Sequence, residues 1–445
     1  MLKKLFSRKK NPAKLQAITL KANEHPIDHR DISRGALNVI DTLEKGNHEA
    51  YLVGGGVRDL LVGGKPKDFD IATNATPEQV KRLFRNARII GRRFRIVHVR
   101  MGREIIEVTT FRSHHEKGND KQAASSEKGM LIRDNVYGDI HSDAIRRDFT
   151  MNALYYSPSQ EAITDFTSGV SDIEQQLVRM IGDPDTRYQE DPVRTLRAVR
   201  LAAKLGFDIE EKTAEGILNN GHLLANIPPA RLFDESLKLF MGGYAAATYQ
   251  ELRRYTLFQF LFPATEECFG HNEAFADALI YQAALNTDKR IHNSQRVTPA
   301  FIFAVILWPA VEDQLTLAHS NGVPAIPAMH QAAQWVISRQ VQRVAIPKRF
   351  TLTIRDIWEL QIRLPKRHGN QAYRSLAHPK FRAAYDFLLL REQAGEELGG
   401  LGQWWTEFQE ADENQQQSMI DQLEDSKSHS KKRRRPRRKK PASEA

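Results

Sequence analysis

The chain has 445 residues, 41% of them hydrophobic, enough for two to four domains at roughly 150 residues each. Its one cysteine, Cys268, excludes an internal disulfide framework and a cysteine-rich zinc site, and fits a reducing cytoplasm. Net charge is +10, yet KKRRRPRRKK at 431–440 holds nine cations and no acid, so the other 435 residues together carry only +1.

In chain order, the opening MLKKLFSRKKNPAKL is basic without an apolar run, which does not read as a secretory signal. A helical pattern runs from about 33 to Gly46. AYLVGG reads as a short strand, VRDLLVG as a helix and DFDIAT as a second strand. Thr76-Pro77-Glu78-Gln79 spells a capping box with proline in the first helical position. ARIIGRRFRIVHVRM and REIIEVTTFR read as two more strands, rich in Ile and Val. The polar stretch 113–130 reads as a loop, AIRRDFTMNALYY as a helix, EAITDF as a strand and SDIEQQL as a helix. Beyond about 182, helices follow one another between Pro and Gly breaks. TPAFIFAVILWPAV at 298–311 is too short to span a bilayer and reads as a buried helix.

The expected class is α+β. A basic extension (1–30) precedes a mixed-sheet domain (31–181), a helical segment (182–241), a longer all-helical region (242–425) and a tail (426–445) without fixed structure. Like charges in that tail repel, and it has almost nothing apolar to bury. Its natural partner is an acidic polymer, with nucleic acid favoured over an anionic membrane. The RNA-contacting candidates are Lys431, Lys432, Arg433, Arg434, Arg435, Arg437, Arg438, Lys439 and Lys440.

The chemistry concentrates in residues 50–73. On a strand, residues i and i+2 face the same way, so Asp68 and Asp70 would project together with Phe69 turned to the core. Convergent carboxylates suit Mg²⁺, and two such ions about 3.5–4 Å apart can activate a hydroxyl and stabilise a leaving pyrophosphate. Alone, the same pair also reads as a solvated strand end. Gly54-Gly55-Gly56 lies between a strand and a helix, where bare backbone and free N–H groups can approach phosphates. It is neither a P-loop nor G-x-G-x-x-G. Combined with Arg58 and the aspartate pair, it reads as a site for a nucleoside triphosphate with metal. Glu107 either faces that site from a neighbouring strand or lies on the surface. Asp148, beside Arg146 and Arg147, either helps hold a sugar hydroxyl and phosphates or caps a helix. The adjacent arginines favour its ionised form.

LVGGGVRDLL, KDFDIAT, RRDFTMNAL and EDPVRTLRAVRLAAKLGF, in this order up to about residue 207, resemble the bacterial tRNA-nucleotidyltransferase and poly(A) polymerase family, class II of the polymerase-β-like nucleotidyltransferases. The resemblance implies a sheet-bearing head, a helical neck (182–241) with the nucleotide-base site, and an RNA-binding helical body and tail (242–425). It implies that Asp68 and Asp70 are the catalytic metal-binding pair for two Mg²⁺ ions; on the residues alone, either Glu107 or Asp148 completes the carboxylate set. Gly55, Gly56 and Arg58 would lie at the triphosphate, Arg147 and Asp148 near ribose and phosphates, and Glu190, Asp191 and Arg194 against the base. Pro192 suits a first helical turn, Asp191 and Arg194 are i, i+3 neighbours on one face, and Arg197 and Arg200 continue that side as candidates for phosphate or structural pairing, Arg197 counted with the nucleotide-binding set.

Within the family, IIGRRFRIVHV, LFDESLKLF and the arginine-rich end resemble the poly(A)-adding branch. No His-Asp dipeptide occurs, which gives no support to the phosphohydrolase domain of some CCA-adding members. The expected activity is template-independent transfer of AMP from ATP to RNA 3′ ends, marking RNA for turnover. The alternatives are CCA addition to tRNA and a non-catalytic RNA-binding scaffold. The expected setting is a cytoplasmic monomer that meets RNA-degradation or RNA-chaperone proteins.

Removing residues 431–445 is expected to leave the chemistry intact and weaken RNA binding. If four of the nine charges meet single-stranded phosphates, the log–log salt slope shallows by roughly 3. RNA affinity measured across a salt series for both lengths checks this; equal slopes would show that the tail does not touch RNA.

Overall fold

The computed structural model describes residues 17–91, 95–113, 123–125, 131–134 and 136–432. The chain divides into two compact units, Met1–Leu224 and Ala225–Ala445.

Among its described residues the first unit has twelve strands, the first ten being β1 (Ile18–Leu20), β2 (Ala50–Val53), β3 (Asp70–Thr73), β4 (Ala87–Ile90), β5 (Ile96–Met101), β6 (Glu104–Thr110), β7 (Ala123–Ser125), β8 (Leu131–Asp134), β9 (Leu154–Ser157) and β10 (Ala162–Asp165). Eight of them form one mixed sheet in the order β1-β10-β9-β2-β3-β6-β5-β4. Neighbours run antiparallel except β3 and β6, which are parallel. Its helices are α1 (Arg34–Lys45), α2 (Gly55–Leu61), α3 (Pro77–Leu83), α4 (Ile140–Arg146), α5 (Gly169–Glu174), α6 (Pro184–Glu190), α7 (Val193–Leu205) and α8 (Glu211–Asn220). The short parallel pair β11 (Leu177–Val178) and β12 (Asp208–Ile209) ties the segment before α6 to the one after α7.

Strand alternation gives the sheet two chemically different faces. Leu52, Ile71, Val99, Ile106 and Val108 point into an apolar layer closed by Val39, Ile40 and Leu43 of α1 and Val80 of α3. Thr76 and Gln79 form the reciprocal capping box at α3 that the sequence predicts, and Ser33 caps α1. The opposite face carries Val53, Ala72, Phe111 and Tyr155 against Ala144 of α4. Alternation assigns Asp70 and Glu107 to this second face.

Several segments differ from the sequence-based expectation. The basic extension contains β1, which pairs with β10 at the sheet edge. ARIIGRRFRIVHVRM is a hairpin of two strands, β4 and β5; Gly91, with φ 81°, begins the reversal, and residues 92–94 lie outside the described residues. Within 113–130, expected as a loop, β7 pairs with β8. With three residues and no β-branched or aromatic one among them, AAS carries little strand signal, and 114–122 and 126–130 lie outside the described residues. AIRRDFTMNALYY is not one helix. α4 ends where Arg147 turns extended (φ −62°, ψ 171°), a 3₁₀ turn covers Thr150–Asn152, and LYYS becomes β9, buried at all four positions.

The second unit is helical: α9 (Pro229–Phe240), α10 (Ala245–Arg254), α11 (Phe258–Leu261), α12 (Pro263–His292), α13 (Pro299–Ile306), α14 (Trp308–Ser320), α15 (Ala325–Arg343), α16 (Lys348–Arg363), α17 (Asn370–Leu376), α18 (Phe381–Gln393), α19 (Leu401–Glu410) and α20 (Glu413–Lys432). Trp308, Trp358 and Trp405 are its largest fully buried side chains. Two of them satisfy their indole N–H on distant carbonyls: Trp358 donates to Ala304 O at 3.0 Å and Trp405 to Leu364 O at 3.1 Å. The apolar stretch at 298–311 is buried but broken at Leu307 into α13 and α14, bent by 51°. Pro309 lacks the N–H that would continue the helical ladder. No single helix among the described residues is long and apolar enough to cross a membrane. LFDESLKLF lies on α9. α20 runs to Lys432, so its last turns include Lys431 and Lys432, whereas residues 433–445 lie outside the described residues.

Ile71 is fully buried in the apolar layer. Ile71→Ala is expected to destabilise the chain by about 2–5 kcal/mol through lost burial and the cavity left behind. Denaturant unfolding checks this; a cost below about 1 kcal/mol would show that the layer can collapse around the site.

Candidate active site

β3 begins at Asp70, so Asp68 sits just ahead of the strand and is exposed, while Phe69 is buried. The side chains still alternate through this approach, as expected. Asp70 is paired in register with Glu107 on β6, and Glu107 with His98 on β5. Three polar residues thus form a row across three strands, each between apolar neighbours that face the core. His98 Nε2 lies 3.2 Å from Glu107 Oε1. Glu107 thus shares the Asp70 face, with its side chain about half exposed. Burial, then the charge of Glu107, raise the Asp70 carboxyl to about 6; Arg147 opposes them and Asp68 adds to them.

The glycine turn sits beside this row. Gly54 has φ 71° and ψ −139°, a conformation that a side chain strains. A Cβ there would lie 3.7 Å from both Asp70 Oδ2 and Arg147 Nη1. Bare backbone therefore separates the carboxylate row from the guanidinium groups. Gly56 lets α2 approach the start of β3: its Cβ would meet Phe69 Cδ1 at 3.4 Å and the Asp68 carbonyl at 3.5 Å. A Cβ on Gly55 would be 3.3 Å from Arg58 Nη2.

Arg58 braces the turn from below, which differs from its expected place at a triphosphate. It is only 4% exposed. It pairs with Asp59 at 2.6 Å and donates to Asn152 Oδ1 at 2.7 Å, and Lys204 of α7 also reaches Asp59 at 2.7 Å.

Opposite the carboxylates lies a crowd of arginines. Arg147 is held between Asp143 Oδ2 (3.0 Å) and the Tyr155 hydroxyl (3.0 Å), and Tyr155 itself donates to Asp143 at 2.7 Å. Burial disfavours the Arg147 charge, but Tyr155 and Asp143 more than restore it, so its pKa is raised. Asp148 pairs with Arg197 at 2.5 Å, not with the adjacent Arg147. It also accepts from Phe149 N at 2.9 Å and Asn152 Nδ2 at 3.2 Å. Burial pushes its carboxyl up, yet Arg197 and these hydrogen bonds prevail and hold it well below the usual range. Burial first, then the charges of Arg112, Arg187, Arg194 and Arg147, lower Arg146 to about 9.

The EDxxR segment is not one helix face. α6 ends at Glu190, Asp191 is extended (φ −150°, ψ 92°) and Pro192 caps α7. Arg194 consequently finds Glu190 at 2.9 Å. Arg187 grips the same carboxylate at 2.8 Å, and Arg194 Nη1 donates to the Arg187 carbonyl at 2.7 Å. Arg187 also donates to the carbonyls of Arg146 and Arg147, at 2.6 and 2.5 Å, which anchors α6 to the end of α4. Sequence reasoning missed His98, Arg112, Asp143, Tyr155 and Arg187. Only His98 left a local signal, as the lone polar residue between Val97 and Val99 on a strand.

Family models match three parts of the chain: "Poly A polymerase head domain" at 50–179, "Probable RNA and SrmB- binding site of polymerase A" at 206–269, and "Polymerase A arginine-rich C-terminus" at 321–439. The chain is 48% identical to poly(A) polymerase I of Salmonella typhimurium over 99% of this chain and 97% of that protein. It is 47% identical to poly(A) polymerase I of Haemophilus influenzae over 95% and 94%. A CCA-adding enzyme of Lactobacillus helveticus is 38% identical over only 49% of this chain and 53% of that protein. Among solved structures, an apo tRNA-processing enzyme shares the fold with a TM-score of 0.58 at 20% identity, covering 86% of this chain and 99% of that chain. A tRNA nucleotidyltransferase solved with a primer tRNA and an incoming ATP analog gives 0.55 at 19% identity, covering 83% and 97%.

An acid whose pKa is raised on folding binds its proton more tightly in the folded chain. The raised Asp70 therefore costs stability as pH climbs from 3.8 through about 6. With chelator present, Asp70→Asn is expected to unfold at a higher temperature than the parent at neutral pH, and at the same temperature well below pH 3.8. Thermal unfolding across that range checks it; a pH-independent difference would show that Asp70 is not electrostatically strained.

Proposed function

The chain belongs to the poly(A) polymerase I family, and from that premise we propose how its site extends RNA 3′ ends with AMP from ATP. The observation that carries the proposal is the meeting, at the Gly54 turn, of a strained carboxylate row with a buried crowd of arginines. The RNA 3′-oxygen attacks the α-phosphorus of ATP as the hydroxyl gives its proton to water. The bond from that phosphorus to the bridging oxygen breaks, and pyrophosphate leaves with the electron pair.

Asp68, Asp70 and Glu107 offer only hard oxygen donors, and Asp70 is raised by burial and like charge. These features fit Mg²⁺. Among the described residues, no three His, Cys, Asp or Glu side chains could hold an ion by themselves, so phosphate oxygens would have to share the coordination. Asp68 and Asp70 would hold the ions, with Glu107 as the third carboxylate. Bound there, Mg²⁺ supplies positive charge to the attacking and leaving oxygens.

The remaining work falls to the chain's own groups. Arg146 and Arg147, with Arg112 behind them, receive the anionic phosphates; the repulsion among them is relieved when negative charge enters. Asp148 stays ionised and accepts a sugar hydroxyl. Gly54 and Gly55 keep the approach free of side chains, and Arg58 keeps their turn rigid. Glu190, Asp191 and Arg194 read the base. Adenine and cytosine both offer an amino donor beside a ring-nitrogen acceptor, so hydrogen-bond pattern alone does not separate them. The choice rests on size and on how firmly Arg187 clamps the Glu190–Arg194 pair. The same reading makes the protein a cytoplasmic monomer that meets RNA-degradation or RNA-chaperone proteins.

ATP or CTP supplied separately with an RNA unrelated to tRNA tests the activity. Long A tails support it, and short CCA ends confined to tRNA would overturn it. Asp68→Ala and Asp70→Ala are each expected to abolish transfer while circular dichroism stays unchanged; near-normal transfer in either would refute the metal-ligand role. Arg194→Ala is expected to cost about 1–3 kcal/mol in ATP affinity or in ATP-over-CTP choice. An unchanged ratio with unchanged affinity would count against base reading.

A further inference from the structure

Between Asp313 and Asp356 the sequence holds no carboxylate but five cations: Arg339, Arg343, Lys348, Arg349 and Arg355. The interval covers the end of α14, all of α15 and the first half of α16, whose second half carries Asp356 and Glu359; α15 and α16 pack on each other in the second unit. Their solvent faces lie side by side: Arg355 of α16 donates to Gln334 Oε1 of α15 at 2.6 Å, and His330 of α15 lies 3.7 Å from Glu359 of α16. Arg343 turns inward to the carbonyls of Phe260 and Ala225. Of the other four, Arg339, Lys348 and Arg349 are exposed and Arg355 is half-buried, and among the described residues none lies within ion-pair distance of a carboxylate.

Two further features mark this face. The Arg339 guanidinium lies 4.3 Å over the ring of Trp335, which is half-buried. A guanidinium stacked on indole presents a second flat, cationic surface suited to a nucleobase. Leu352 is 53% exposed among the cations. Cations that neutralise phosphates, interleaved with an aromatic platform, are what a single strand needs when its sequence is not read.

We propose that the outer face of α15 and α16 binds a single-stranded stretch of the RNA substrate. Arg339, Lys348, Arg349 and Arg355 meet phosphates, and the Trp335–Arg339 stack receives a base. The proposal rests on RNA being the substrate, as the proposed activity requires, but concerns a surface outside the transfer site. It is also separate from the basic run at 431–440. Charge complementarity favours RNA over an acidic protein, because the π-stacked arginine adds a contact that a carboxylate does not use. An anionic lipid surface is the competing occupant.

The test uses the full chain. One variant combines Arg339→Gln, Lys348→Gln, Arg349→Gln and Arg355→Gln, which keeps the side-chain stems and the polar contact to Gln334. Trp335→Ala and Trp335→Phe are made separately, and circular dichroism verifies folding. The probes are a labelled oligo(A) single strand and vesicles of phosphatidylglycerol in phosphatidylcholine. If all four cations meet phosphates, the salt slope shallows by about 2.8. The parent then loses about fifty-fold more oligo(A) affinity than the variant between about 50 and 200 mM salt. Trp335→Ala is expected to weaken binding several-fold at an unchanged slope, with Trp335→Phe recovering most of it. Equal slopes and affinities for parent and variant would overturn the proposal. So would loss of vesicle binding with oligo(A) binding intact, which assigns the face to lipid. A parent chain that adds AMP to RNA while the variant binds normally refutes this surface alone. A parent that adds none while the variant still loses RNA binding refutes the activity and supports the surface.

Discussion

The pairing of β3 with β6 puts Asp70 opposite Glu107, and the site depends on that register. A one-residue slip of either strand would turn its own carboxylate into the layer now filled by Ile71, Ile106 and Val108. The apolar face thus does two things at once. It holds the sheet to α1 and α3, and it forbids the alternative register that would scatter the polar row. Gly54 completes the arrangement by crossing from β2 to α2 in a conformation with φ 71°, so no side chain stands between Asp70 and Arg147.

The site is assembled from charges that the free chain leaves in conflict. Asp70 is buried beside Glu107 and Asp68, and Arg146 is buried beside Arg112, Arg187, Arg194 and Arg147. Each group alone is an unfavourable use of burial, because like charges in a poorly solvated place repel strongly. They lie close, however, with Arg147 acting on both sets. A dication on one side and a triphosphate on the other would relieve both conflicts together. That is the arrangement of a preorganised electrostatic site, in which the cost is met on folding and not during reaction. Its scaffold is satisfied by contrast: Asp143 is bound by Arg147 and Tyr155, Asp59 by Arg58 and Lys204, and Glu190 by Arg187 and Arg194.

The parts legible in the sequence are those governed by local rules. The Thr76 capping box, the alternation around Phe69 and the glycine turn depend on neighbours within a few residues, and they stand where the sequence puts them. Misread segments were those where long-range pairing overrides local pattern. AIRRDFTMNALYY has a helix-like composition, but β2 and β10 recruit its end as β9. EDxxR reads as one helix until Asp191 turns extended and leaves Arg194 to Glu190. Arg187, Asp143 and Tyr155 gain their roles from contacts between elements far apart in the chain, which no local spacing encodes. In the second unit the signal is the acid-free interval that runs through α15 into the first half of α16, visible only as an absence across a long stretch.

The most direct measurement of the central claim is Mn²⁺ binding by electron paramagnetic resonance, with and without a non-hydrolysable ATP analogue. If the carboxylate row and the arginine crowd are two halves of one site, metal and nucleotide each tighten the other's binding by the same factor. Glu107→Gln would then reduce that mutual gain without unfolding the chain. Mn²⁺ affinity indifferent both to the nucleotide and to the loss of Glu107 would contradict the account.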